Sequence, residues 1–402
     1  MVAQPGGFGA LAGIRVLEMG SLIAGPFATR IMADLGADVI KIEPPGKGDP
    51  LREWGEVSDE GSLWFAVQGR NKRSVTVNLR TARGQELARR LTRECDVLVE
   101  NFRPGALERW GLGPERLLAD HPGLVMVRIS GFGQTGPYSS RPGFGNVAEC
   151  MGGLRYITGF PDRPPLRVGM SLADHIAALY AVVGALAALQ KRKSTGRGQV
   201  VDVALNESVF SLLQDALPQY ARTGRVQERS GNDLPFAAPS NSYRTGDGDW
   251  MAISGNADSI FVRLMRAIGR EDLATDPGLR DNLGRVARVR ELDDAIATWT
   301  AAHTSAEVSA ALEAAEVPFG PIYSIADIAY DPQYQARDMI LSVPDARFGE
   351  VVMPGVLPVF GETPGSIRWS GPEVGEHTVE VLRQLLDLPE DEIARLREQG
   401  DI

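Results

Sequence analysis

The sequence predicts an α/β protein: a doubly wound parallel sheet in a large domain, followed by a smaller α+β domain. Three observations carry this. Short β-rich runs alternate with helical patterns through the first half of the chain. At 402 residues, the chain exceeds what one hydrophobic core ordinarily serves. Near residue 222 the alternation stops, and the chain becomes rich in Gly, Pro, Ser and charge.

The first strand is IRVLEM (14–19). GPFATRIMADLG (25–36) follows with helical spacing, which puts Phe27, Ile31 and Leu35 on one face. DVIKIE (38–43) is a second strand and SVTVNL (74–79) a third. TARGQELARRLTREC (81–95) is a helix with Thr81 as its N-cap, since a hydroxyl there can accept from a first-turn N–H. DVLVENF (96–102) is the fourth strand; GALERW and PERLLADH are helical; LVMVRIS (124–130) is the fifth strand. VGMSLADHIAALYAVVGALAALQ (168–190) is a buried helix, and QVVDVAL (199–205) a sixth strand. Strand–helix–strand at this pace requires parallel strands joined by right-handed crossovers. Residues 1–221 are assigned to the large domain and 222–249 to a linker. Residues 250–325, opening on WMAISG and continuing mainly as helices, form the small domain. Residues 326–402 return through short strands (339–360) and two helices, GEHTVEVLRQLL and PEDEIARLREQG.

Composition narrows the function classes. A formal net charge of -10 disfavours a protein that coats nucleic acid or an anionic membrane. Local basic clusters, RNKRS (70–74) and QKRKSTGRGQ (190–199), suit a small anionic ligand better than a polymer. Two cysteines, Cys95 and Cys150, lack paired spacing, which fits a reducing cytoplasm and argues against a disulfide framework or thiolate metal site. MVAQPGGFGALAG at the start has neither a charged n-region nor an apolar h-region. The run 176–189 is too short to cross a bilayer. The four histidines are isolated, and H-E-x-x-H, G-x-S-x-G and P-loop patterns are absent, so no metal is expected.

Three places can carry chemistry. After the first strand, MGSLIAGPFA has Gly20 and Gly25 without the G-x-G-x-x-G order, so Glu43 at the end of the second strand is a weak pointer to a nicotinamide dinucleotide. Asp174 heads an apolar helical run. An Asp there is an ordinary cap or first-turn residue, but the same position gives a fixed, poorly hydrated carboxylate suited to nucleophilic attack. GRNKRSVTVNL (69–79) is either a solvated basic turn or a phosphate-holding cluster. ENFRPGALERWG (100–111) sits at the end of a strand, where open sheets bind ligands; Asn101, Phe102, Arg103 and Arg109 combine hydrogen bonding, an apolar face and charge.

Taken in order, LAGIRVLEMGSLIAGPFATRIMADLGADVIKIEPPGKGDPLR, NKRSVTVNL, DVLVENFRPGALERWGLG, ISGFGQTGPY, GMSLADHIAALYA, KSTGRGQVVDVAL and VPFGPIYSIADIAYDPQ resemble the class III CoA-transferases, also called the CaiB/BaiF or formyl-CoA transferase family. The resemblance runs from about residue 11 to GEHTVEVL. It implies a Rossmann-like large domain completed by the C-terminal tail, a small domain between, and an interlocked homodimer. It implies that Asp174 is the nucleophile. The family's CoA contacts fall on Leu22, Ile23, Val77, Arg80, Asn101, Phe102 and Arg109, with Leu205 bordering the same pocket. A basic residue often follows KIE in the family; here Pro44 and Pro45 stand there, so that phosphate contact is missing or comes from Lys47 or Arg70.

The implied reaction exchanges one thioester for another through aspartyl anhydride and aspartyl–CoA intermediates, with CoA as substrate and no resident cofactor. Related α-methylacyl-CoA racemases pair the Asp with a His; here Phe144 stands where that His would be, and a phenyl ring moves no proton. Formyl-CoA/oxalate enzymes carry a glycine run over the site, whereas this chain has SGNADS (254–259). The GRNKRS, GFGQTGP and ITG segments look like the branch using succinyl-CoA and dicarboxylic acids. The far carboxylate then needs a cation, and Arg70, Arg73, Arg141, Arg167 and His175 are the candidates. A catalytically idle CoA-binding partner of a heteromer is the alternative outside catalysis.

Overall fold

The computed structural model describes residues 9–402; the first eight residues of the stretch examined for a leader lie outside them. The chain divides into two compact units. The large unit comprises the chain up to Leu154, Val168–Pro218 and Gln333–Ile402, and the small unit comprises Arg155–Arg167 and Gln219–Pro332.

Six strands build the large unit's main sheet: β1 (Arg15–Glu18), β2 (Asp38–Glu43), β3 (Lys72–Thr76), β4 (Val97–Glu100), β5 (Val125–Ser130) and β6 (Val200–Ala204). Their order is β3-β2-β1-β4-β5-β6, and every neighbouring pair is parallel. This is the Rossmann-like, doubly wound arrangement. Runs such as VLVE and VMVRIS are buried throughout, as strands covered on both faces must be. α1 (Ala24–Asp34), α2 (Ala82–Arg93), α3 (Ala106–Arg109), α4 (Pro114–Asp120), α5 (Gly145–Met151), α6 (Leu172–Thr195) and α7 (Leu205–Phe210) supply the connections. The Thr81 hydroxyl caps α2 by accepting from Gly84 N–H at 3.0 Å.

One face of the sheet packs on α1 and α6 through small residues, among them Ala28, Ala177, Ala181 and Ala185. The other packs on α2 and on residues of the C-terminal segment, including Val381, Leu382 and Ile393. α6 spans 24 residues and is long and apolar enough to cross a membrane, so the expectation based on its shortness does not hold. Half of its most apolar stretch is buried within the fold, as in the core helix of a sheet-based unit. It ends at Gly196 with φ 68°, a left-handed cap that favours glycine.

The small unit carries β7 (Ser240–Arg244), β8 (Trp250–Ser254) and β9 (Phe319–Pro321), antiparallel in the order β9-β8-β7. Its core draws on Met251, Ile253, Phe261, Leu264, Ile296 and Leu312. Three boundaries differ from those read in the sequence, one of them because the small unit runs on to Pro332 rather than 325. The segment 222–249 holds β7, whose polar SNSYR run gives no strand signal and is ordered by pairing with β8. Residues 155–167 join the small unit because Tyr156 OH donates to Glu228 at 2.7 Å and Gly231 N–H donates to Gly159 O at 2.9 Å.

Candidate active site

The strand order reverses between β1 and β4, and open α/β sheets bind ligands outside the carboxyl ends of strands at that point. A cavity of about 610 Å³ lies there. Met19, Gly20 and Ser21 after β1 line it, together with Phe102 and Trp110 after β4. Pro44–Pro45 and Lys47–Pro50 after β2 contribute, as do Val77–Arg80 after β3.

Buried ions hold two of these loops. Lys41 Nζ reaches Glu18 at 2.6 Å and Asp49 at 2.7 Å and donates to Gly20 O at 2.9 Å. Asp49 in turn accepts from Leu22 N–H at 3.0 Å, and Leu22 has φ 63°. A left-handed leucine is strained and persists only where neighbours fix it. Burial opposes both charges of this pair, yet their mutual attraction prevails, so Lys41 is raised and Asp49 lowered from ordinary values. Lys72, 2.8 Å from Glu18, is pushed down to about 8, chiefly by burial.

The residues expected to meet CoA separate into three groups. Val77, Arg80 and Phe102 line the cavity; Phe102 stands edge-on to Trp110 with ring centroids 5.1 Å apart. Lys47 also lines it and is exposed, which favours it over Arg70 as the substitute phosphate contact. Leu22, Ile23 and Asn101 shape the neighbouring loop. The Asn101 amide is used on both sides by Ser21, accepting from its N–H at 2.8 Å and donating to its carbonyl at 2.9 Å. Arg109 is exposed on α3, one residue before Trp110, and does not line the cavity. Leu205 belongs to the core against α1 and α6, so its expected place bordering the cavity is corrected.

The basic run is neither a solvated turn nor a phosphate cradle. Arg70 is 1% exposed and binds Asp34 at 2.7 Å and the Pro354 carbonyl at 2.6 Å. Arg73 binds Asp38 at 2.7 Å and Glu380 at 3.3 Å. Their donors are consumed inside the fold, which removes both from the substrate-carboxylate candidates. Arg141 is exposed, stacked over Tyr138 at 3.7 Å. Arg167 is exposed and lies in the small unit. His175 Nδ1 donates to Ser171 O at 2.6 Å, since a carbonyl can only accept. Burial lowers the His175 pKa, and in the resulting neutral ring Nε2 is an acceptor that repels a carboxylate.

Asp174 occupies the first turn of α6, while Ser171 takes the N-cap position without a side-chain cap. Gly145, at the start of α5, faces it so closely that a Cβ there would lie 2.0 Å from Asp174 Oδ2. No ion pair engages Asp174 among the described residues. Burial, and then the fully buried Glu149, push its pKa up to about 6, partly offset by its own backbone N–H. At neutral pH the group is therefore mainly ionised, yet poorly hydrated, the state a carboxylate nucleophile needs. Asp174 does not line the cavity itself; His175 beside it packs on Phe27 of α1, the helix that begins where the cavity-lining loop ends. Phe144, the position of the racemase histidine, is 65% exposed immediately before Gly145.

Glu43 does not fit a ribose-gripping role. It is fully buried, bound to Arg52 at 2.7 Å, and accepts from Ser74 Oγ at 2.6 Å and from Asp49 N–H at 2.7 Å. Sequence reasoning missed Trp110, Asn78, Leu79 and Asp49 as lining residues. Trp110 was visible as the aromatic of the ERWG segment; Asp49 gave no signal because its importance rests on Lys41.

Comparison with known proteins identifies the family. Residues 11–378 match the family described as CoA-transferase family III. A succinyl-CoA–D-citramalate CoA-transferase of Chloroflexus aurantiacus is 50% identical over 385 residues, covering 96% of each chain. The β subunit of a succinyl-CoA–L-malate CoA-transferase from the same organism is 42% identical over 391 residues, again covering 96% of each. The crystal structure of a CAIB/BAIF family protein from Brucella suis is similar with a TM-score of 0.83 and 34% identity, covering 94% of this chain and 100% of that one. Parallel sheet, cavity and sequence thus converge, and the chain belongs to the family III CoA-transferases, enzymes that use CoA thioesters.

Proposed function

We propose that this CoA-transferase moves CoA from succinyl-CoA to a second dicarboxylic acid, with Asp174 as the covalent relay. The observation that carries the reading is the Asp174 carboxylate: ionised at neutral pH, poorly hydrated, without an ion-pair partner among the described residues, and set against a glycine that leaves space at its oxygen. The names of the relatives, which use succinyl-CoA with citramalate or malate, supply the substrate class.

In this reading the adenine and phosphates occupy the switch-point cavity, with Phe102 and Trp110 as the flat apolar wall and Lys47 and Arg80 as cations. Asp174 attacks the donor thioester carbonyl, giving an aspartyl–acyl anhydride and CoA thiolate. The thiolate attacks the aspartyl carbonyl, releasing the donor acid and leaving an aspartyl–CoA thioester. The acceptor carboxylate displaces the thiolate to form a second anhydride, and the thiolate then takes the acceptor acyl group, freeing Asp174. Each step exchanges one acyl bond for another, so neither ATP nor water enters. Phe144 weighs against racemisation because it offers no second base.

The apolar exposure on Leu179 and Val183 of α6, and on Phe210 and Leu212 nearby, fits coverage by a second copy, so the active form is proposed to be a cytoplasmic homodimer. The test is a panel of acids with succinyl-CoA, read by mass spectrometry on the wild type and Asp174→Ala. New acyl-CoA species are expected for some dicarboxylates and none with the variant. Hydroxylamine added during turnover should mark residue 174; transfer by the variant at the wild-type rate would refute the assignment.

A further inference from the structure

A dicarboxylate leaves one carboxylate unreacted, and that group needs a cation whose own partner has not already been supplied by the fold. Arg70 and Arg73 are consumed by Asp34 and Asp38, and neutral His175 presents an acceptor. Arg30 differs from all of these. It lies on α1, half-buried, with its guanidinium carbon 4.3 Å from the centroid of the Phe27 ring. The same ring meets His175 edge-on at 4.5 Å, and His175 adjoins Asp174. The Arg30 guanidinium makes no hydrogen bond or ion pair among the described residues, and its Nε is buried without a partner. Asp34, one turn along the helix, does not serve it, because that carboxylate is held by Arg70 and Asn71.

A desolvated guanidinium without an anion is costly, so the fold retains it only where something offsets the cost. Burial and then Arg70 lower its pKa to about 10, against the pull of Asp34, which still leaves it charged at neutral pH. Its planar fork matches a carboxylate in two parallel hydrogen bonds. We infer that Arg30 is the specificity residue of this transferase, receiving the distal carboxylate of the dicarboxylate whose other end reacts at Asp174. The inference rests on the proposed transfer to dicarboxylates. Phe27, which packs edge-on against His175, would then be the apolar spacer between the two ends of the acid.

The test compares glutarate with butyrate as acceptors from one donor, succinyl-CoA, so that donor effects cancel in the ratio. In Arg30→Met the glutarate-to-butyrate ratio of kcat/KM should fall about 100-fold, carried mainly by KM, and Arg30→Lys should restore part of it. In the unaltered enzyme, phenylglyoxal should modify Arg30, glutarate should protect it and butyrate should not, as read by peptide mass spectrometry; this arm decides if the variants fail to fold. An unchanged ratio, equal protection by both acids, or loss of oligomer in Arg30→Met would overturn the assignment, the last because it would make a second copy the missing anion. Failure of the wild type to transfer CoA to any dicarboxylate would instead defeat the transferase reading beneath it.

Discussion

The cations on β2, β3 and the turn leading into β3 and the charges on α1, on α6 and exposed at the cavity rim belong to one unit but are treated in opposite ways. On those strands and that turn, Lys41, Arg70, Lys72 and Arg73 each have a carboxylate within 2.8 Å. Around the site, Arg30, Arg80 and Lys47 have no carboxylate partner, and Asp174 no cation, among the described residues. Matching a buried charge fixes a fold; leaving one unmatched keeps free energy available for a ligand. A run of cations in a sequence says nothing about which of these it is.

This contrast can be broken or sharpened by substitution. The largest effect is expected at Asp174. Asp174→Asn should lower transfer at least ~1000-fold while increasing stability by about 1–2 kcal/mol at pH 7. The sign follows from its raised pKa: the folded state favours the neutral acid, so stability from this group is present at low pH and lost as pH rises through about 6. Initial rates and denaturant unfolding of the two proteins would show both changes. Arg70→Met should act in the reverse sense, removing about 3–5 kcal/mol of stability by leaving Asp34 buried with one cation fewer; urea unfolding measures it.

Gly145→Ala should lower kcat about 100-fold with little change in the KM for the thioester, because the new methyl displaces Asp174 without touching the cavity. Arg80→Ala should raise that KM about tenfold and leave stability within ~0.5 kcal/mol, the pattern of an unmatched surface cation. The pH profile is the mildest probe: kcat/KM should fall about tenfold per unit below pH 6, as Asp174 takes up a proton.

The inner strands β4 and β5 were legible because parallel strands covered on both sides must be short apolar runs, and the Thr81 cap because a hydroxyl just before a helical run can accept a first-turn N–H. Asp174 was legible as a position, but its chemistry depends on Gly145 and Glu149, which only the packing of α5 against α6 brings to it. Arg70 and Arg73 misled for a related reason: their partners, Asp34 and Asp38, lie more than thirty positions earlier and look like ordinary helix-end and strand-start acids. Arg30 looks like any arginine on an amphipathic helix, and its lack of a partner becomes visible only when α1 lies against α6. The third strand was read two residues late because Lys72 and Arg73 do not look like buried strand residues.

The reach of Arg70 across the chain has a consequence for biosynthesis. One of its carbonyl partners, Pro354, lies 284 positions downstream. At translation rates of about 5–20 residues per second, the ribosome needs roughly 15–60 s to deliver it. Over that interval the nascent sheet carries a guanidinium with an incomplete set of acceptors, and its outer layer is still to be made. The small unit, finished at Pro332, emerges before the large one can close. Chaperone demand should therefore concentrate on the N-terminal half while the polypeptide is still tethered to the ribosome.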